Sequence, residues 1–289
     1  ILDKLDNLKK GQKDIKDAVK SFYNGITSDI SKILKKVGES EESISNALKQ
    51  MLEIYTKMPK DKDDLDTCKQ EILKWFKHWD KLETDSKNWM PEAQFHYKKI
   101  KSAGLLDYSP FVLFHSISLE YELLNKIFIK FYNKMILNQD LNNSGYLEYN
   151  KDKLIEKIRT ANKNKSEKNI LKKINSKIKY IEFVIEILKI DPSKKGYTLG
   201  SMRRILSLLQ ESQRNKEDSL FNNLIILKSL FDFIKNEYGS FEKETLQQIE
   251  ILVRDYRNKA AHPDKIDLES ANEFYKSYKK IMTNLLIFD

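Results

Sequence analysis

The stretch RDYRNKAAHP, residues 254–263, places two arginines, an asparagine and a histidine directly ahead of a proline. These residue types suit cleavage of an RNA phosphodiester without metal. The 2′-hydroxyl must lose its proton to attack phosphorus, the leaving 5′-oxygen must gain one, and the charge that builds between them needs a cation. Histidine transfers protons near neutral pH, and a guanidinium can hold the phosphorane oxygens in a planar fork. His262 is therefore the candidate general acid/base and Arg257 the candidate phosphate holder. Arg254 stands one turn earlier as a further phosphate contact. One histidine is half of the usual two-histidine solution. A two-fold partner would supply the other half, so a homodimer sharing one cleft is expected.

Local chain chemistry says how these groups would be held. Pro263 biases His262 away from the α region, so a helix should end near Ala261 with His262 at or just past its C-terminus. Exposed carbonyls there favour a protonated imidazole, by a fraction of a kcal/mol to about 1 kcal/mol. Arg254, Asn258 and His262 follow an i, i+4, i+8 spacing, one polar stripe on a continuing helix. Ala260 and Ala261 leave room for a backbone or ligand to approach. Glu120 and Glu122 are candidate carboxylate partners for the arginines across a bundle.

Net charge is +9, but 46 of the 52 basic residues are lysines spread along the chain, so the total says little about a partner. All six arginines lie between Arg159 and Arg257. Arginine grips phosphate bidentately where lysine offers a point charge. Arg203 and Arg204, in the first turns of a helix, therefore join Arg254 as candidate RNA or phosphate contacts. Trp75, Phe76 and Trp79 could stack bases, although aromatics at helical spacing read first as core. His78, His96 and His115 are isolated, and His115 on an apolar helix reads as a satisfied core histidine. There is no Walker A pattern and no His-Glu-x-x-His, and the acidic run from Asp61 to Asp66 reads as a solvated linker. Neither a metal nor a cofactor is expected.

The 289 residues include only 8 Gly and 5 Pro, which predicts an almost wholly helical chain. Residues 1–56 carry Ile1, Leu5, Leu8, Ile15, Val19, Phe22 and Ile26 in a heptad-like stripe. Ile30, Ile33 and Val37 continue it after a small phase shift, so a long amphipathic helix is expected, packed along its own domain or in an intermolecular coil. Gly38-Glu39-Ser40 is an expected break, and Ile44, Leu48, Met51 and Tyr55 resume a helical face. A polar connection follows at 57–66, then a helix over roughly 65–87 and another to about Ala103. After Gly104 the character changes. Ser109 is a good N-cap with Pro110 at the first helical position, opening a helix to about Leu137. Further helices are expected over 151–189, from about 199, over 218–237, over 241–262 and over 267–287. The expected organisation is a helical stalk or adaptor, 1–103, joined to a helical bundle, 104–289. The single Cys68 excludes an internal disulfide and fits a reducing cytoplasm. No apolar run approaches the length of a membrane span. The chain opens on Ile1, and further domains or subunits ahead of residue 1 are expected.

Arg257-Asn258-Lys259-Ala260-Ala261-His262 resembles the Arg-polar-x-x-x-His motif of HEPN domains (higher eukaryotes and prokaryotes nucleotide-binding). DYSPFVLFHSISLEYELLNKIF is similar to the opening helix of that family, and GYTLGSMRRILSLLQ resembles a segment of some prokaryotic members. The resemblance covers roughly 104–289. It implies an all-helical domain acting as a metal-independent endoribonuclease in a bacterial toxin or anti-phage defence system, with Arg257 and His262 as its catalytic pair and Asn258 as the polar residue that orients them. The same family includes non-catalytic dimerisation and ligand-sensing modules, which is the alternative. Some members carry a nucleotidylated tyrosine two places after the histidine. Here Asp264 stands there, so that regulation is not implied.

Overall fold

A computed structural model describes residues 2–34, 41–60, 62–136, 151–163, 166–193, 197–214, 225–238, 243–261 and 265–286. Every regular element among them is helical, as the scarcity of helix breakers requires. The chain forms two compact units, 1–121 with 248–286 and 122–247 with 287–289. These units do not follow a division at residue 103. The first hundred residues share a core with the C-terminal helix.

In the first unit, α1 (Leu2–Leu34) packs on α2 (Glu41–Tyr55) and on α4 (Thr84–Ala103), while α3 (Lys62–Leu73) lies along α4. Val19 of α1 is buried with Met58, Cys68, Phe95 and Ala103. That part of the apolar stripe is thus used within the unit, whereas Ile15 remains 58% exposed. The single helix expected over 65–87 is broken. α3 stops at Leu73, and a short 3-10 turn, Trp79–Lys81, precedes α4. Past the end of α3, Phe76 is fully buried and Trp75 meets Tyr275 edge-on, ring centroids 5.8 Å apart.

α4 ends on Gly104, left-handed at φ 67°, whose N–H and that of Leu105 return to carbonyls of the last turn. Asp107 then receives the N–H of Ser109 at 3.0 Å and its hydroxyl at 2.6 Å. Asp107, rather than Ser109, provides the capping oxygen of α5 (Ser109–Leu123). The long helix predicted from Pro110 continues with π-helical turns, Leu124–Ile129 and Tyr132–Ile136. Tyr108 N–H donates to the Ile266 carbonyl at 2.7 Å, and Ser118 Oγ lies 2.6 Å from Tyr278 Oη. These bonds fix the C-terminal segment on α5.

In the second unit α6 (Lys151–Ala161), α7 (Glu167–Lys189), α8 (Leu199–Arg214) and α9 (Ile225–Tyr238) pack each on the next. Ile174, Ile181, Val184, Met202, Ile205 and Leu230 fill the core between them. Tyr197 edges onto Phe128, and the Tyr238 hydroxyl donates to the Lys126 carbonyl.

Candidate functional site

α10 (Lys243–Ile251) does not run straight to the proline. Leu252–Arg257 form a π-helical turn, and Asn258–Ala260 close with one α turn, α11. The pattern of burial explains the widening. Leu252, Val253 and Arg257 all point inward. Leu252 and Arg257 are five residues apart, which on an α-helix would separate them by about 140°. A turn closed by i→i+5 bonds brings them to one side. The helix ends at Ala261, which lies at φ −89°, ψ −3°, with its N–H returned to Arg257 and Asn258 carbonyls. This is the end expected ahead of Pro263. His262, Pro263 and Asp264 lie outside the described residues.

Arg257 has the largest fully buried side chain of the described residues, 1% exposed. Its Nη1 donates to Asn258 Oδ1 at 3.1 Å, and its Nη2 lies 3.9 Å from Glu120 Oε2 on α5. That second distance is an ion pair rather than a hydrogen bond. Glu120 is therefore the carboxylate that meets the arginine. Arg254 and Asn258, expected on one polar stripe, meet different neighbours, and the third member of that stripe, His262, lies outside the described residues. Arg254 faces solvent and forms a two-pronged pair with its neighbour Asp255, Nε to Oδ1 at 2.7 Å and Nη2 to Oδ2 at 2.9 Å. Those hydrogen bonds hold the Asp255 carboxyl below its usual range. Ala260 and Ala261, expected to leave room for an approaching group, are buried by the unit's own packing.

α12 (Leu268–Leu286) packs against the π turn. The Tyr256 hydroxyl donates to Glu273 Oε2 at 3.0 Å, and its ring meets Phe274 edge-on. Burial first, then the Glu273 bond, pushes the phenol up to about 12.

Arg203 and Arg204 belong to α8 of the second unit, apart from the unit that holds Arg254, Arg257 and Asn258. Both are half-buried. Arg204 stacks over Phe183 at 4.9 Å, and its backbone carbonyl accepts the Tyr180 hydroxyl at 2.8 Å. It borders an open groove of about 600 Å³ lined also by Ser176, Lys177, Lys179 and Tyr180. A cation on an aromatic shelf, with lysines around it, is suited to an anion.

His115 is fully buried, 3.2 Å from Gln94 Nε2 and stacked on Tyr275. Burial, with Lys279 nearby, lowers its pKa well below the ordinary value. His96, isolated in the sequence, is the centre of an aromatic cluster. It stacks on Phe114 at 5.1 Å and meets Tyr55 and Phe95 edge-on, with the Tyr23 hydroxyl 2.6 Å from its Nδ1. Burial brings its pKa down to about 3. Among the described residues no group of three or more His, Cys, Asp or Glu is arranged to hold a metal ion. None of their helices is long and apolar enough to cross a membrane.

Sequence reading did not find the cluster on α12. Asn272, Tyr275, Lys276, Lys279 and Lys280 recur at helical spacing and join Trp75 around one groove. The signal was the basic i, i+3, i+4 repeat, diluted by lysines elsewhere. The chain is thus an all-α protein in which an arginine is enclosed at a widened helix end. No family model, curated protein or solved structure matches it.

Proposed function

We propose that this chain is a HEPN-like metal-independent endoribonuclease, of the kind used in bacterial toxin or anti-phage systems, with its site at the α10–α11 helix end. One observation carries the reading. Five residues ahead of His262, an arginine is buried within a π turn and met by Asn258 and Glu120. Burying a guanidinium is costly even when it is paired, and π turns concentrate at functional sites. The arrangement fixes the helix end at Ala261, one residue ahead of His262 in the sequence. His262 takes the 2′-hydroxyl proton, the 2′-oxygen bonds to phosphorus, and the P–O5′ bond breaks with protonation of the leaving oxygen. The products are a 2′,3′-cyclic phosphate and a 5′-hydroxyl. A second copy supplies the second imidazole. Arg257 is a positioning residue in this scheme, and Arg254 and Lys259, both exposed, are the cations a phosphate reaches.

Cleavage of single-stranded RNA that persists in EDTA and is lost in His262→Ala is the expected result. Undiminished cleavage by that variant removes the reading. Arg257→Lys retains charge but not the fork. It should cut slowly, with a pH–rate profile displaced from that of the parent; an unmoved profile would make Arg257 merely structural. The enclosure of Arg257 also favours a second reading, a non-catalytic dimerisation or ligand-sensing module. That reading expects no cleavage by the folded chain under any condition.

A further inference from the structure

We propose that the groove between Trp75 and α12 binds a nucleobase together with its flanking phosphates, its occupant being a segment of single-stranded RNA. The groove measures about 620 Å³ and is open along its length. That is the size range of small-ligand sites. Among the described residues its lining comprises two aromatic rings, three lysines, two asparagines and a threonine, and no carboxylate.

The rings are held before any ligand arrives. Tyr275 stacks on buried His115 at 5.1 Å, meets Phe111 at 5.2 Å and receives Trp75 edge-on at 5.8 Å. Lys279 Nζ stands 4.3 Å from the Tyr275 centroid and 5.4 Å from that of Trp75. Burial against these rings lowers the Lys279 pKa. Lys279 and Lys276 form no ion pair among the described residues, so an incoming anion displaces no protein carboxylate from either. Glu71, whose charge acts on Tyr275, already pairs with Lys98 at 2.8 Å.

A ligand that is only anionic would use the lysines and leave the rings idle. One that is only apolar would be repelled by three ammonium groups. Nucleic acid offers both a π-face and a phosphate at one-nucleotide spacing, and a single strand leaves its bases free to stack. Asn272, Thr283 and Asn284 can then bond base edges or the ribose hydroxyl. Binding here is read without cleavage, so its failure and the failure of the nuclease reading are distinguishable.

The experiment measures binding of fluorescein-labelled oligouridylate and oligoadenylate to the full chain carrying His262→Ala, so that no strand is cut. Trp75→Leu should weaken binding roughly 5- to 100-fold, the range for loss of one stacked base, while leaving the salt dependence in place. Lys276→Gln with Lys279→Gln and Lys280→Gln should weaken it further. That triple variant should also flatten the log–log salt slope by about 2, as expected for three single-strand phosphate contacts. Unlabelled mononucleotide separates the two sources of this chemistry. Weak competition assigns the groove to a strand, and competition equal to the oligomer's assigns it to a free nucleotide and overturns the strand. Inorganic polyphosphate competing as well as RNA per charge would reduce the groove to a charged patch. A parent that binds neither strand nor nucleotide, or variants that bind as it does, overturns the proposal outright. Unchanged urea midpoints show that each variant is folded.

Discussion

Arg257 and Lys279 are cations of the same compact unit, and their surroundings differ in kind. Arg257 is enclosed, with an amide oxygen and a carboxylate drawn to it from within the protein. Lys279 stands over two rings at the wall of an open groove. A charge whose partners lie inside the protein organises structure. A charge set over an aromatic shelf that faces solvent is placed for something that comes from outside. The arginine was the more conspicuous residue in the sequence, yet the lysine is the better placed to meet a ligand directly.

The largest expected effect tests the enclosed side. Truncating a large, fully buried side chain that carries an ion pair costs about 3–5 kcal/mol. Arg257→Ala should therefore lower the stability of the chain by about that amount in urea titration. Glu120→Ala should cost less, since Glu120 is 15% exposed at its side chain and 3.9 Å away. Arg257→Met with Glu120→Leu should recover most of the loss. A fully additive double variant would mean that the two side chains do not interact, and the contrast with Lys279 would weaken.

A second, smaller effect concerns the buried histidines of the same unit. His96 is held neutral, with a pKa near 3 against an ordinary value of about 6.5. Its folded-state pKa is depressed, so the unfolded chain binds the proton first as pH falls. Its contribution is fully present above about pH 6.5 and is lost progressively toward pH 3. At pH 5 the loss is about 2 kcal/mol. His115, lowered by burial, acts with the same sign. Urea midpoints at pH 8 and pH 5 should show this decline, and His96→Gln should reduce it. A flat profile between those values would mean that water reaches the imidazoles and that neither histidine is held neutral by burial.

The helical fold was legible because so few glycines and prolines leave a chain of this length little else to form. The end of α10–α11 was legible from Pro263, which acts on its immediate neighbour. The π turn was not, because it arises from Leu252, Val253 and Arg257 all needing the same interior, a tertiary demand that spacing does not reveal. Spacing likewise did not reveal that Arg254 would pair with Asp255 and Asn258 with Arg257. Glu120 could be suspected from charge alone. The groove could not, because Trp75 and Tyr275 are two hundred residues apart in sequence, and the lysines of α12 look like any others until the aromatic wall stands behind them.

The smallest expected effect sharpens the contrast from the open side. Lys279→Gln removes a cation from over two rings without emptying a core. Cation–π contacts at solvent-reached sites contribute about 0.5–1 kcal/mol, so the urea midpoint should move by no more than that. Arg254→Ala, on the exposed face of the π turn, should leave the midpoint where it is, since a solvated pair with the adjacent Asp255 is readily replaced by water. The two variants part company in their ligand behaviour. Loss of Lys279 should weaken RNA binding by the parent and by His262→Ala alike, whereas loss of Arg254 should slow cleavage while binding at the groove is kept. If Lys279→Gln instead destabilised the chain as much as Arg257→Ala, its ammonium would be a structural member of the Trp75–Tyr275 wall, and the division between an inward and an outward cation would fall.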